Sequence, residues 1–222
     1  MGRNREANGS LPFAQMTNLL CLAFATLLAC ASVAHAAPGR GTLLFFGDSL
    51  TAGYGLDDPI GSSFPGLIQE KIDAAGLNYR VINAGLSGET SAGGLRRIDW
   101  ILRQPVNVFV LELGGNDGLR GLPVATLRDN LRKILDKVRA KNPEVKLVIA
   151  GMQMPQNMGA YADDYAKVFP ELAREYNATL IPSLLEGVGG IARLNLPDGV
   201  HPTTEGHAIV AETVWKYLQP LL

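Results

Sequence analysis

The chain has 222 residues, of which 47% are hydrophobic, 18% charged and 7% aromatic, figures that exclude disordered and collagen-like proteins. Lys and Arg number 20 against 21 Asp and Glu, a formal net charge of −1; there is no basic excess to track a phosphate backbone, so nucleic acid is not an expected partner. The two cysteines, Cys21 and Cys30, both fall in the first 30 residues, which rules out a disulfide-stapled or cysteine-ligated zinc fold for the rest of the chain.

The N-terminal segment carries Arg3 and Arg5, then an apolar run Leu19–Ala29, then Ala34-His35-Ala36. That order of charge, apolar run and small residues is the pattern of a secretory signal with an A-x-A cleavage site. The run has 11 residues, too few to span a hydrocarbon core of about 30 Å. The expected organisation is therefore a signal peptide over 1–36, cleaved after Ala36, and one domain over 37–222 that is periplasmic or secreted and not stably inserted in a membrane. Cleavage would leave 18 basic and 20 acidic residues and no cysteine, a composition that an oxidising compartment does not endanger. Two other readings stand beside it. The segment could be a buried N-terminal helix. Leu27-Leu28-Ala29-Cys30 also resembles the lipobox of bacterial lipoproteins, which would anchor the protein through a lipid on Cys30.

Beyond residue 36 there is no internal repeat, low-complexity stretch or charge run. Thr42–Phe46 (TLLFF) predicts a strand. Phe64–Ala75 predicts a helix, with Phe64, Leu67, Ile68 and Ile72 on one face and Gly76 as its stop. A second strand is expected over Arg80–Asn83, a helix over Ser91–Leu102 and a third strand over Val106–Leu111. Pro123–Ala140 repeats Leu127, Leu131, Ile134, Leu135 and Val138 at helical spacing. Val145–Ala150 predicts a fourth strand, Tyr161–Tyr176 a helix with Tyr165, Val168, Phe169 and Leu172 inward, Thr179–Ile181 a fifth strand and Thr204–Leu218 a closing helix. Strands that alternate with helices and read as apolar on both faces imply a parallel sheet covered on both sides. The expected fold is an α/β/α three-layer sandwich, flavodoxin-like, with five parallel strands in the order 2-1-3-4-5. Ligands of such a sheet bind beyond the carboxyl ends of strands 1 and 3.

Gly47-Asp48-Ser49-Leu50 follows the first strand and Gly114-Gly115-Asn116-Asp117 the third. Ser49 alone reads as a turn residue, and the chain contains no Gly-x-Ser-x-Gly elbow. Asp198 and His201 share a turn with Gly199 and precede the last helix. Three residues apart, the carboxylate can take the ring N–H and leave the other nitrogen as a base. His35 lies in the N-terminal segment and His207 on the last helix without an acidic partner, so His201 is the histidine placed for catalysis; a helix-capping role is its plainer reading. Asn116 after two glycines, and Gly88 after the second strand, can donate to a developing oxyanion, although each also suits a simple turn. Gly53-Tyr54-Gly55 makes a poor dinucleotide fingerprint, and no Walker Lys-Ser/Thr pair exists. Asp57-Asp58 reads as a solvated loop, Asp163-Asp164 as charge at a helix start rather than a metal site, and Trp100 and Trp215 as packed at the sheet margin.

Gly47-Asp48-Ser49-Leu50, Ser87-Gly88-Glu89-Thr90, Gly114-Gly115-Asn116-Asp117 and Asp198-Gly199-Val200-His201-Pro202 together resemble the four blocks of the SGNH (GDSL-motif) hydrolases. Leu113–Gly121 (LGGNDGLRG) and Leu185–Gly190 (LEGVGG) are similar to the bacterial multifunctional thioesterase I / lysophospholipase L1 / arylesterase group. The resemblance runs from Thr42 to Leu222. It implies a serine esterase acting on aryl, short- to medium-chain acyl or lysophospholipid esters and on acyl thioesters. Ser49 would be the nucleophile, Asp198 and His201 the dyad, and Ser49, Gly88 and Asn116 the oxyanion donors. No metal or cofactor is implied; the partner is a small-molecule or lipid ester, and the enzyme is expected to be a monomer. Two positions depart from the group: Glu89 replaces the usual Asp, outside the donor set, and Met158 replaces a common Tyr. Met154, Pro155 and Met158 lie in the segment the resemblance marks as the acyl-binding loop. A carbohydrate acetylesterase of the same family and, from a different class, a flavodoxin-like binding module are the rival readings.

Overall fold

The computed structural model describes Met1 and residues 39–222. The expected signal segment, its cleavage point at Ala36 and the lipidation candidate Cys30 lie outside the described residues. Residues 40–222 form one compact unit, and its elements follow the hydrophobic periodicity of the sequence closely. Strand β1 (Gly41–Gly47) is followed by two one-turn helices, α1 (Ser49–Ala52) and α2 (Pro59–Ser62), and then by α3 (Phe64–Ala74), β2 (Tyr79–Gly85), α4 (Ser91–Ile101) and β3 (Val108–Glu112). A short α5 (Gly115–Leu119) precedes α6 (Val124–Lys141), β4 (Lys146–Ala150), α7 (Ala160–Glu175), β5 (Thr179–Ile181) and α8 (Thr204–Leu218). Two 3₁₀ turns, Gln156–Met158 and Ala192–Leu194, fill connections that the sequence leaves as loops, and a third, Gln219–Leu221, follows α8.

All five strands are parallel, in the order β2-β1-β3-β4-β5, the order expected. Leu44, Phe46, Phe109, Leu111, Leu147 and Ile149 point to one face and bury against Ile98 of α4, Leu131, Ile134 and Leu135 of α6 and Tyr165, Phe169 and Leu172 of α7. Leu43, Phe45, Val108, Val110 and Val148 point to the other, against Phe64, Ile68 and Ile72 of α3 and Val210, Val214 and Leu218 of α8. Helix α7 runs on through Pro170, whose missing N–H and ring clash cost about 3 kcal/mol; four large side chains of this helix, Tyr165, Val168, Phe169 and Leu172, are buried around it and offset that loss.

Three details correct the sequence reading. Strand β2 is half-exposed rather than buried on both faces, because it ends the sheet. Trp100 is 65% exposed and packs at no margin, whereas Trp215 does pack, partly buried, against the α3/α8 side. Asp58 does more than solvate a loop: its carboxylate accepts the Gly61 N–H at 3.0 Å and caps α2, with Pro59 in the first turn.

Strand β1 is the hinge between fold and site. At its end Gly47 pairs with both Gly85 and Glu112. A Cβ on Gly47 would stand 2.1 Å from Thr51 Oγ1 and 2.2 Å from Glu112 Oε2, so only glycine lets β1 turn at once into α1 over the third strand.

Candidate active site

Ser49 is not in a loose turn. It is the first residue of α1, and Asp48 is the cap: its Oδ1 accepts the Leu50 N–H at 3.1 Å. A first-turn N–H has no acceptor inside its helix, so the Ser49 amide is not used up by α1, and Ser49 itself lines the cleft. The Ser49 carbonyl is taken by the Tyr54 N–H at 3.0 Å. Ser49 Oγ lies 2.9 Å from His201 Nε2, and His201 Nδ1 lies 2.8 Å from Asp198 Oδ2. A carboxylate only accepts, so Nδ1 carries the ring proton and Nε2 is the acceptor for the serine O–H. Asp198 Oδ1 also receives the Val200 and His201 N–H groups at 3.0 and 3.1 Å. These bonds, the Val200 N–H first and the His201 ring next, hold the Asp198 carboxyl down to about 2, and it is ionised at any working pH. The tilted ring of Tyr54 lies 4.7 Å from that of His201, centre to centre.

Asp48 and Glu112 form a buried acidic pair behind this row. Glu112 Oε2 accepts the Thr51 hydroxyl at 2.6 Å and the Asp48 N–H at 3.1 Å, so the end of β3 grips both ends of α1. Burial, and then the nearby Asp48, push the Glu112 carboxyl well above the ordinary range. Burial also raises Asp48 to about 6, against the opposing hydrogen bonds from the Leu50 N–H and the Asn116 amide. The Asn116 Nδ2 donates to Asp48 Oδ2 at 3.1 Å, which holds the amide with its NH₂ toward the residue before Ser49.

Gly88 has φ +78°, a left-handed conformation that glycine adopts without penalty. Its neighbour Glu89, outside the donor set, serves the scaffold. Glu89 is buried and ion-paired with Arg97, whose guanidinium donates to Ala84 O at 2.8 Å and Gly47 O at 3.2 Å and so clips the ends of β1 and β2 together. Asp117 likewise serves the scaffold: it accepts the Ser91 N–H and hydroxyl at 2.8 and 2.6 Å, anchoring the start of α4.

These groups open into a cleft of about 690 Å³, within the usual range for small-molecule sites. Ser49, Gly88, Asn116, His201, Met154 and Pro155 all line it; Asp198 stands behind the histidine. Met158 does not line it. The 3₁₀ turn closes with the Met158 N–H on Pro155 O, and Gly159 at φ +56° then leads the chain off into α7, which carries Met158 away from the opening. The remaining walls are largely apolar: Leu50, Tyr54, Leu119, Met152, Leu184, Leu185 and Val200. Among the described residues no cluster of three or more His, Cys, Asp or Glu side chains could hold a metal ion.

Sequence reasoning missed Asp48, Glu112, Thr51 and Tyr54 as parts of the site. Glu112 left a signal, a lone acid ending an otherwise apolar strand (VNVFVLE). Tyr54 left none, because its use depends on where His201 arrives 147 residues later.

Residues 45–209 match the model of the GDSL-like Lipase/Acylhydrolase family. The chain is 41% identical to esterase TesA of Pseudomonas aeruginosa over 82% of its own length and 89% of the relative's. It is 37% identical to thioesterase 1/protease 1/lysophospholipase L1 of Escherichia coli K12, over 82% and 85%, and 35% identical to an arylesterase of Vibrio mimicus, over 91% and 98%. A crystal structure of TesA superposes with a TM-score of 0.77 at 40% identity, covering 82% of this chain and 99% of that one.

Proposed function

We propose that this chain, which belongs to the GDSL-like lipase/acylhydrolase family and is an ester hydrolase, works through a covalent acyl intermediate on Ser49. The observation that carries the reading is the unbroken row Ser49 Oγ–His201 Nε2 (2.9 Å) and His201 Nδ1–Asp198 Oδ2 (2.8 Å). As Oγ attacks the carbonyl carbon, Nε2 takes its proton and Asp198 offsets the imidazolium charge. The oxyanion is held by the N–H groups of Ser49 and Gly88 and by the Asn116 amide. The imidazolium then protonates the leaving alcohol or thiol as the carbonyl–heteroatom bond breaks. Water repeats the sequence on the acyl-enzyme, releasing the acid and restoring Ser49. No step calls for a metal or cofactor, and every group comes from residues 48–201 of one chain, as a monomer requires.

The substrates are carboxylic esters with aryl or short- to medium-chain acyl groups, including lysophospholipids, and acyl thioesters. The apolar walls Leu50, Met152, Met154, Leu184 and Leu185 support a hydrocarbon acyl part, and the relatives' names span the same chemistries. A carbohydrate acetylesterase would call for a shallow polar cleft, and a flavodoxin-like module for a phosphate cradle where Asp48 stands. The protein reaches the periplasm or exterior through the signal segment 1–36; the small-residue cleavage site supports this, and among the described residues no helix is long and apolar enough to cross a membrane.

The test is a panel of p-nitrophenyl esters from acetate to palmitate, with palmitoyl-CoA and a lysophospholipid, run on the protein and on Ser49→Ala. The variant keeps its fold and loses kcat by about 10³–10⁶-fold on every substrate. An undiminished rate in Ser49→Ala refutes the mechanism, and a panel in which only acetate turns over refutes the acyl-chain assignment.

A further inference from the structure

Arg120 caps the end of α5, its N–H on the Asn116 carbonyl at 3.2 Å, and the residue is exposed, next in sequence to Leu119 of the cleft wall. Most arginines of the unit with a hydrogen-bonded guanidinium meet a carboxylate, among them Arg40, Arg97, Arg128, Arg132 and Arg193. Arg120 does not, among the described residues. Its Nη2 donates instead to two neutral oxygens, Gly88 O at 3.0 Å and Asn116 Oδ1 at 3.4 Å. Those two residues lie 28 apart in sequence, Gly88 on the loop after β2 and Asn116 in α5 after β3, and both are donors in the mechanism proposed above.

We infer that Arg120 is a positioning residue that holds Gly88 and Asn116 in register as oxyanion donors; the inference rests on the reading of Ser49, Gly88 and Asn116 given above. A side-chain amide has two orientations, related by a flip, and only one of them presents NH₂ to the cleft. Arginine has no acceptor and a carboxylate has no donor. Arg120 therefore accommodates only the Asn116 oxygen, and Asp48 Oδ2, on the amide's other side, only its NH₂. The flipped amide would set N–H against N–H at one end and oxygen against carboxylate at the other. The same guanidinium fixes the Gly88 carbonyl, and with it a residue whose backbone has glycine's full freedom at φ +78°.

The experiment measures kcat and KM of Arg120→Ala, Arg120→Lys, Asn116→Ala and the double variant Asn116→Ala/Arg120→Ala on p-nitrophenyl butyrate, an uncharged substrate. Thermal unfolding establishes that each variant folds. Loss of one oxyanion donor costs about 10²–10³-fold in kcat, and loss of its orientation a part of that. Arg120→Ala is expected to lose about 10-fold in kcat with KM within about twofold, and to recover part of it on addition of guanidinium chloride at concentrations that leave the fold intact. In the Asn116→Ala background the same change is expected to cost less, since one of the two donors it orients is already gone. Normal kcat in Arg120→Ala beside a depressed Asn116→Ala overturns the inference alone. So does a raised KM with unchanged kcat, which would make Arg120 a substrate contact, and so does a full, additive loss in the double variant without guanidinium rescue. Normal kcat in Asn116→Ala overturns the oxyanion reading beneath it. Should Arg120→Ala fail to fold, Arg120→Lys decides: the lysine ammonium ends one bond short of the arginine Nη2 and lacks the planar fork that aims it, so kcat falls severalfold if the inference holds and stays normal if it does not.

Discussion

His207 ties the stability of the protein to pH in a way that one substitution isolates. The ring lies in the first turn of α8, 1% exposed, parallel to Phe64 with centres 6.1 Å apart, and its Nδ1 accepts the Phe64 N–H at 3.2 Å. Burial, and then the charge of nearby His201, lower it from 6.5 to about 4. Between those values an unfolded chain binds a proton that the folded chain does not. Stability supplied by the neutral ring is therefore complete above pH 6.5 and is lost as the pH falls toward 4. At about 1.4 kcal/mol per pH unit, the loss is about 3 kcal/mol. Asp48 works in the opposite sense. Its folded value is raised from 3.8 to about 6, so the folded chain binds the extra proton and acidification through that window stabilises it by a comparable amount. Glu112 is raised for the same cause and adds to that side. The total stability of the protein thus conceals the histidine, and a comparison reveals it. In His207→Gln the carboxamide oxygen can take the Phe64 N–H without titrating. Urea unfolding of both proteins at pH 7, 5.5 and 4 is expected to show the variant gaining on the parent by about 3 kcal/mol from the first to the last. Parallel stability curves across that range would mean that the ring titrates alike folded and unfolded, and would refute the reasoning.

Two further outcomes follow from the site. Asp198→Asn is expected to lower kcat by about 10³–10⁴-fold with little change in KM, because the amide cannot balance the imidazolium that His201 becomes; steady-state kinetics on one aryl ester, with near wild-type kcat as the contrary result, checks it. The exported protein is expected to begin at Ala37 by N-terminal sequencing, whereas a blocked, lipid-bearing Cys30 would make it membrane-tethered.

The fold was legible because its signals are local and redundant. Strands β1, β3 and β4 each centre on a short apolar run, and Leu127, Leu131, Ile134, Leu135 and Val138 of α6, all read from spacing, are all buried. The ends of β5 and α8 fall where the sequence puts them. What escaped was tertiary in origin. Trp100 has the composition of a packed residue, but nothing in its own stretch says that α4 turns it to solvent. Met158 shares a loop with Met154, yet a 3₁₀ turn of three residues separates their destinations.

The site divides along the same line. Ser49, Asp198 and His201 could be named because reacting groups are few in kind and sit beside glycine-bearing turns at strand and helix ends. Their supports are ordinary residues whose roles come from pairing across the sheet. Glu112 meets Thr51 and Asp48 because Gly47 pairs with Glu112 between β1 and β3; Arg97 reaches Gly47 and Ala84 because β1 lies beside β2. The order 2-1-3 thus does two things at once. It opens the crevice at the carboxyl ends of β1 and β3, and it brings an acid from one flanking strand and a basic clip from beside the other onto the single turn that carries Ser49. A serine that must present both its Oγ and its N–H to one carbonyl needs its backbone held as firmly as its side chain, and the Asp48 cap, the Glu112 grip and the Arg97 clip are where this chain supplies that hold.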